Sequence, residues 1–290
     1  MAIPAPRFKP GMRRLALSCR PFLAIVWSDR MKIRNRNDKE TPMIDQQVEI
    51  PTKDGHTTTF ISHPERGGPF PVIIFYMDAP AIREELRDMA RRLGTVGYYV
   101  LLPNLYYRAG RDTIFGPDVG ETGSPEHTRM RAVRTTMTIP PMMQDVAAML
   151  AFVERQDAVM PGAVGCHGYC MSGPYALAAA ARYPDRIAAA ASFYGTWLVS
   201  EAEESPHRSL GKVTGELYIA CAEHDALAPL PMVEELQGWF KQAGVAGEIE
   251  MYPEVHHGFA FPQRWCYDKP AAERHWERLL ALYRRRLHAR

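Results

Sequence analysis

Residues 163–181 restrict the fold of this chain more than any other stretch. Ala163-Val164-Gly165-Cys166 reads as a buried strand, and Gly168-Tyr169-Cys170-Met171-Ser172-Gly173 as a sharp turn. Tyr175-Ala176-Leu177-Ala178-Ala179-Ala180-Ala181 then reads as a helix. Strand, turn and helix around one reactive side chain form a nucleophile elbow. Its turn forces the central residue into a strained backbone conformation, which small neighbours such as Gly168 and Ser172 accommodate. The helix aims its first amides and its dipole at that residue, a field that favours thiolate over thiol. Cys170 is therefore the candidate nucleophile.

The rest of the chain supplies a sheet for such an elbow. Strands are expected at Gln47–Ile50, Thr57–Ser62, Pro71–Tyr76, Tyr98–Leu102, Ala163–Cys166, Ala188–Phe193, Glu216–Cys221 and Glu248–Tyr252. Helices are expected at Ile82–Thr95, Pro141–Arg155, Gly173–Tyr183, Met232–Ala243 and Ala271–His288. In the last, Trp276, Leu279, Leu280, Tyr283 and Leu287 share one face, with arginines on the other. Runs such as Val72-Ile73-Ile74-Phe75 are apolar without alternation, as in strands buried on both faces. The pattern predicts an α/β fold with an open, mostly parallel, doubly wound sheet. Residues 109–139 are polar and rich in Gly, Pro and Thr, and so long a segment reads as a lid or substrate loop.

Ligands bind beyond the carboxyl ends of strands in such folds. Reading those ends in order gives Met77-Asp78-Ala79, Asn104-Leu105-Tyr106-Tyr107-Arg108, Cys170, Phe193-Tyr194-Gly195-Thr196-Trp197, Glu223-His224-Asp225 and His256-His257-Gly258-Phe259. Nucleophile, acid and histidine thus arrive in the order of an α/β-hydrolase triad. Cys170 would attack an acyl carbonyl to give a thioester, His257 would move the protons, and Asp225 would orient the imidazole. The backbone amides of Met171 and Ala79 would form the oxyanion hole. His256 competes with His257, but Gly258-Phe259 suggests a tight turn that presents the second histidine. Tyr194, Trp197 and Trp265 are candidate walls of an apolar pocket.

Gly168-Tyr169-Cys170-Met171-Ser172-Gly173, Asn104-Leu105-Tyr106-Tyr107-Arg108 and His257-Gly258-Phe259-Ala260 together resemble the dienelactone hydrolase family over about residues 44–290. The resemblance implies a Cys-His-Asp hydrolase that opens lactones or activated esters, with Cys170, Asp225 and His257 as its triad. It implies that Asp78, where the family has a glutamate, holds the resting thiol, and that Arg108 clamps a substrate carboxylate. The family's second arginine corresponds to Phe261, which cannot bind an anion and points to a more apolar ester. Two other readings stand beside this one: a serine-type esterase using Ser172, and a non-catalytic α/β-hydrolase binding module.

The 290 residues, 46% hydrophobic and 23% charged, suit a single large α/β domain. Residues 1–43 form a basic extension, expected to be disordered or dispensable. Ten Lys or Arg fall in residues 1–42, so the remainder of the chain is acidic although the net charge is only +2. That balance gives no argument for a nucleic-acid partner. The apolar stretch Leu15–Trp27 is interrupted by Arg20 and Pro21, too short for a membrane span. Five cysteines without paired spacing argue for a reducing cytoplasm and against a disulfide framework or a zinc site. No nucleotide-binding motif or cofactor box appears, so a small ester or lactone is the only expected partner.

Overall fold

The computed structural model describes residues 42–287. The basic extension falls almost wholly outside them, as does Cys19. Eight strands form one sheet: β1 (Met43–Thr52), β2 (Gly55–Pro64), β3 (Phe70–Tyr76), β4 (Tyr99–Pro103), β5 (Val159–Tyr169), β6 (Ile187–Phe193), β7 (Glu216–His224) and β8 (Ala246–His256). Their spatial order is β1-β2-β4-β3-β5-β6-β7-β8. Only β2 runs against its neighbours; every pairing from β4 to β8 is parallel. All eight strands lie where the apolar runs place them, and the sheet is the open, mostly parallel one expected.

Every residue of β3 is buried, which explains its unbroken apolar run. Helices α1 (Glu84–Thr95), α2 (Pro125–Thr135), α3 (Ile139–Val153), α4 (Gly173–Arg182), α5 (Leu230–Ala243) and α6 (Lys269–Leu287) accompany the sheet. Alanines dominate α4 because its residues from Gly173 to Ala181 are all buried, and its small face approaches β6 closely. A Cβ on Gly173 would lie 2.3 Å from the Ser192 hydroxyl oxygen. Ile73 and Leu279 are fully buried, and truncating such a side chain to alanine costs about 2–5 kcal/mol.

Helix α6 buries Trp276, Leu279, Tyr283 and Leu287 as its periodicity predicts. Leu282 joins them, whereas Leu280 is only half-buried at the edge of the stripe. Two core histidines tie α6 to β5. His275 Nδ1 lies 2.7 Å from the Ala272 carbonyl, so its Nε2 accepts from the Tyr169 hydroxyl, also at 2.7 Å. His167 Nδ1 lies 2.8 Å from the Tyr283 hydroxyl. Burial drives both pKa values down, His275 to about 4, so the pair stays neutral.

Helix α2 was not expected. It lies inside the polar 109–139 segment, where it exposes most of its surface and carries little apolar periodicity. Its start signal was present nonetheless. Ser124 accepts a hydrogen bond from the His127 amide at 3.0 Å, and Pro125 occupies the first helical position. Cys166, Cys170, Cys221 and Cys266 are free thiols. Among the described residues no helix is long and apolar enough to cross a membrane.

Candidate active site

Strand β5 ends at Tyr169, and Cys170 follows with a φ of 55° in the left-handed region. That is the strain expected at an elbow. The turn closes so tightly that a Cβ on Gly168 would lie 2.2 Å from the Ser172 carbonyl oxygen. Glycine alone fits there. Ser172 knits the turn together: its hydroxyl accepts from the Tyr169 amide at 3.0 Å and donates to the Tyr76 carbonyl at 3.1 Å. With its oxygen fully buried and so engaged, Ser172 is a structural residue.

Asp225 sits just past β7. Its Oδ1 accepts from the amides of Leu227 (2.8 Å) and Ala228 (3.0 Å), which fixes the carboxylate. Its Oδ2 meets His257 Nδ1 at 2.7 Å, so Nδ1 carries the proton and Nε2 is left for another partner. His257 Nε2 is buried and makes no hydrogen bond of ordinary geometry, yet Cys170 is the strongest influence favouring its charged form. Burial disfavours the imidazolium, but Cys170 and Asp225 together outweigh it and lift the pKa to about 10. Tyr194 braces the imidazole edge-on, with ring centroids 5.0 Å apart. His256 instead faces outward between His224 and Trp265. The structure therefore brings His257, not His256, to Asp225.

Tyr106, at the end of β4, links the two segments expected to form the oxyanion hole. Its hydroxyl donates to the Ala79 carbonyl at 2.9 Å and lies 3.1 Å from Met171 Sδ. The Ala79 amide finds no acceptor among the described residues.

The charged residues differ from expectation. Asp78 is fully buried, but its oxygens are taken by two guanidiniums, Arg83 (2.6 Å) and Arg264, rather than by the thiol. Arg83 also pairs with Glu85 at 2.6 Å. Phe261 is fully buried between these arginines, each guanidinium carbon 4.9 Å from the ring centroid. Arg264, three residues after Phe261, is paired with Asp78. Arg108 is not free to clamp a substrate. It binds Asp145 through both terminal nitrogens (2.8 and 2.9 Å) and Asp54 through Nε (2.9 Å), and it stacks on Tyr107. Tyr194, like Phe261, is fully buried and forms core beneath the site rather than a wall. Trp197 is 46% exposed and does line a cavity.

Two cavities include residues named above, one at His257 and one at Met171. One, of about 420 Å³, is lined by Pro80, Arg83, His257, Arg264, Trp265 and Cys266 among others. The other, of about 290 Å³, is bordered by Met171, Tyr175, Trp197, Arg134 and Ile139. Arg83, Arg134, Arg264 and Tyr106 were not singled out from sequence, because nothing local distinguishes a site arginine from a surface one. Half-buried Glu223 and exposed His224 and Glu254 hold donor atoms within 4.8 Å of one another, but they belong to neither cavity.

The family described as Dienelactone hydrolase family matches residues 57–287. The chain belongs to the dienelactone hydrolase family. A Synechocystis relative provisionally named carboxymethylenebutenolidase is 26% identical over 246 residues, covering 83% of this chain and 96% of its own. The Pseudomonas putida carboxymethylenebutenolidase is 26% identical over 224 residues, 75% of this chain and 87% of its own. Among solved structures, a Klebsiella pneumoniae protein provisionally named dienelactone hydrolase superposes with a TM-score of 0.74. It is 23% identical and covers 84% of this chain and 99% of that one, a likeness of fold.

Proposed function

We propose that this family member hydrolyses small carboxylic esters or lactones through a thioester on Cys170. The reading rests on one arrangement: a left-handed Cys170 beside the buried Nε2 of a histidine whose Nδ1 is held by Asp225 at 2.7 Å. In the first half-reaction Cys170 passes its thiol proton to His257 Nε2, its sulfur adds to the acyl carbon, and the carbonyl π electrons move onto oxygen. The Met171 and Ala79 amides stabilise that oxyanion, and the Tyr106 hydroxyl holds the segments bearing them. As the C–O bond breaks, His257 passes a proton from Nε2 to the leaving oxygen. In the second, water attacks the thioester while His257 takes its proton. Collapse of the adduct releases the acid and returns the thiolate–imidazolium pair.

Asp225 keeps the imidazole in the tautomer both halves require. Asp78 serves the site through its neighbours: its charge is balanced by Arg83 and Arg264, which stiffens the wall beside His257. The relatives' names agree with ester or lactone chemistry. In the test, the protein is mixed with p-nitrophenyl acetate and quenched. Mass analysis should then show one acetyl group on the Cys170 peptide, and Cys170→Ala should lose turnover by about 10⁴-fold. An acetyl group on Ser172, or parental turnover by the alanine variant, would overturn the cysteine assignment.

A further inference from the structure

The cavity on the Met171 side contains a charge without a partner. Arg134 closes the last turn of α2 and lies over the Trp197 ring, its guanidinium carbon 4.5 Å from the centroid. Among the described residues it makes no ion pair, and its guanidinium donates no hydrogen bond. The other arginines near the site are all neutralised: Arg83 and Arg264 by Asp78 and Glu85, Arg108 by Asp145 and Asp54. Arg134 is nevertheless close enough for its charge to act on Tyr106, which contacts both oxyanion-hole segments, and on Tyr175.

Stacking on Trp197 covers one face of the guanidinium and leaves its in-plane N–H groups for an acceptor. Met137, Ile139, Met171, Pro174 and Tyr175 give the cavity an apolar and aromatic side, and Thr138, Ser200 and Ser205 add hydroxyls elsewhere in its wall. The lining therefore suits an apolar chain ending in an anion. Glu204 at the rim carries no ion pair and disfavours a dianion, so a carboxylate is a better match than a phosphate. His257 lines the opposite cavity. Under the proposed mechanism it protonates the leaving oxygen, which directs the leaving group to that side and the acyl chain toward Met171.

We infer that Arg134 determines specificity by binding a carboxylate at the far end of the acyl chain. The preferred substrates are then monoesters of dicarboxylic acids, whose free carboxylate lies on the acyl side. This inference rests on the triad reading for its orientation, but anion binding can be measured without turnover.

The experiment compares mono-p-nitrophenyl adipate with p-nitrophenyl hexanoate, which differ only in the terminal carboxylate. The parent protein should favour the adipate by about tenfold or more in kcat/KM. Arg134→Ala should erase that preference through KM, and Arg134→Lys should restore part of it. Calorimetry on Cys170→Ala should detect adipamate but not hexanamide, with adipamate binding lost when Arg134→Ala is added. Absence of a preference in the parent, or equal slowing of both esters by Arg134→Ala and Arg134→Lys, would overturn the proposal. If Cys170→Ala still turned over esters, the thioester reading would fall, and adipamate binding would still decide the role of Arg134.

Discussion

The two cavities, one at His257 and one at Met171, both contain arginine, yet they present opposite chemistry. On the His257 side, Arg83 and Arg264 grip Asp78 and Glu85, and the positive charge is cancelled within the wall. On the Met171 side, Arg134 has, among the described residues, only the face of Trp197. An arginine's availability is decided by the carboxylates that reach it in three dimensions. Arg108 shows the same rule: it stands in a strand-end motif, but Asp145 and Asp54 hold its donors.

Asp225→Asn probes the Asp225–His257 contact and, under the proposed mechanism, should have the largest effect. The amide cannot hold the imidazolium as the carboxylate does, so kcat should fall by about 10³- to 10⁴-fold. The His257 pKa, now about 10, should move down. Because this pKa is raised above its ordinary 6.5, the associated stability is fully present below pH 6.5 and lost as pH rises toward 10. Urea titrations at pH 6 and pH 10 should show that loss in the parent and much less of it in the variant.

Asp78→Asn would break the cancelled side of the comparison. It leaves two part-buried guanidiniums facing a neutral amide, and thermodynamic stability should drop by about 3 kcal/mol, read from chemical denaturation. If Asp78 instead served mainly to hold the thiol, stability would change little while the pH dependence of Cys170 alkylation shifted.

Arg108→Ala gives the smallest effect and sharpens the contrast. Asp145 is buried and would lose its bidentate partner, but Arg108 is 22% exposed and water can enter. A cost of about 1–2 kcal/mol in stability is expected, with the ratio of kcat/KM for anionic and neutral esters unchanged. A selective rise in KM for anionic esters would return the clamp role to Arg108.

The sheet was legible because buried strands leave long apolar runs, and the elbow because glycine and a small helix face have few alternatives at such a turn. The meeting of Asp225 and His257 at 2.7 Å was legible because strand ends collect in one place in a parallel sheet. The pairing of the arginines was not legible. Whether Asp78 meets a thiol or a guanidinium depends on Arg264, 186 residues away in the chain. Helix α2 was hidden because its exposed surface erases the apolar period, although Ser124 and Pro125 marked its start. Tyr194 looks like a pocket wall in sequence, but burial puts it, like Phe261, one layer below the surface.

The backbone at Cys170 also governs how this chemistry can evolve. A φ of 55° excludes β-branched side chains but tolerates an unbranched one of similar size. Exchange of sulfur for oxygen by a single Cys-to-Ser step leaves the scaffold intact, whereas threonine is barred. Under the proposed mechanism, one strained peptide unit thus admits two nucleophiles and disfavours a third.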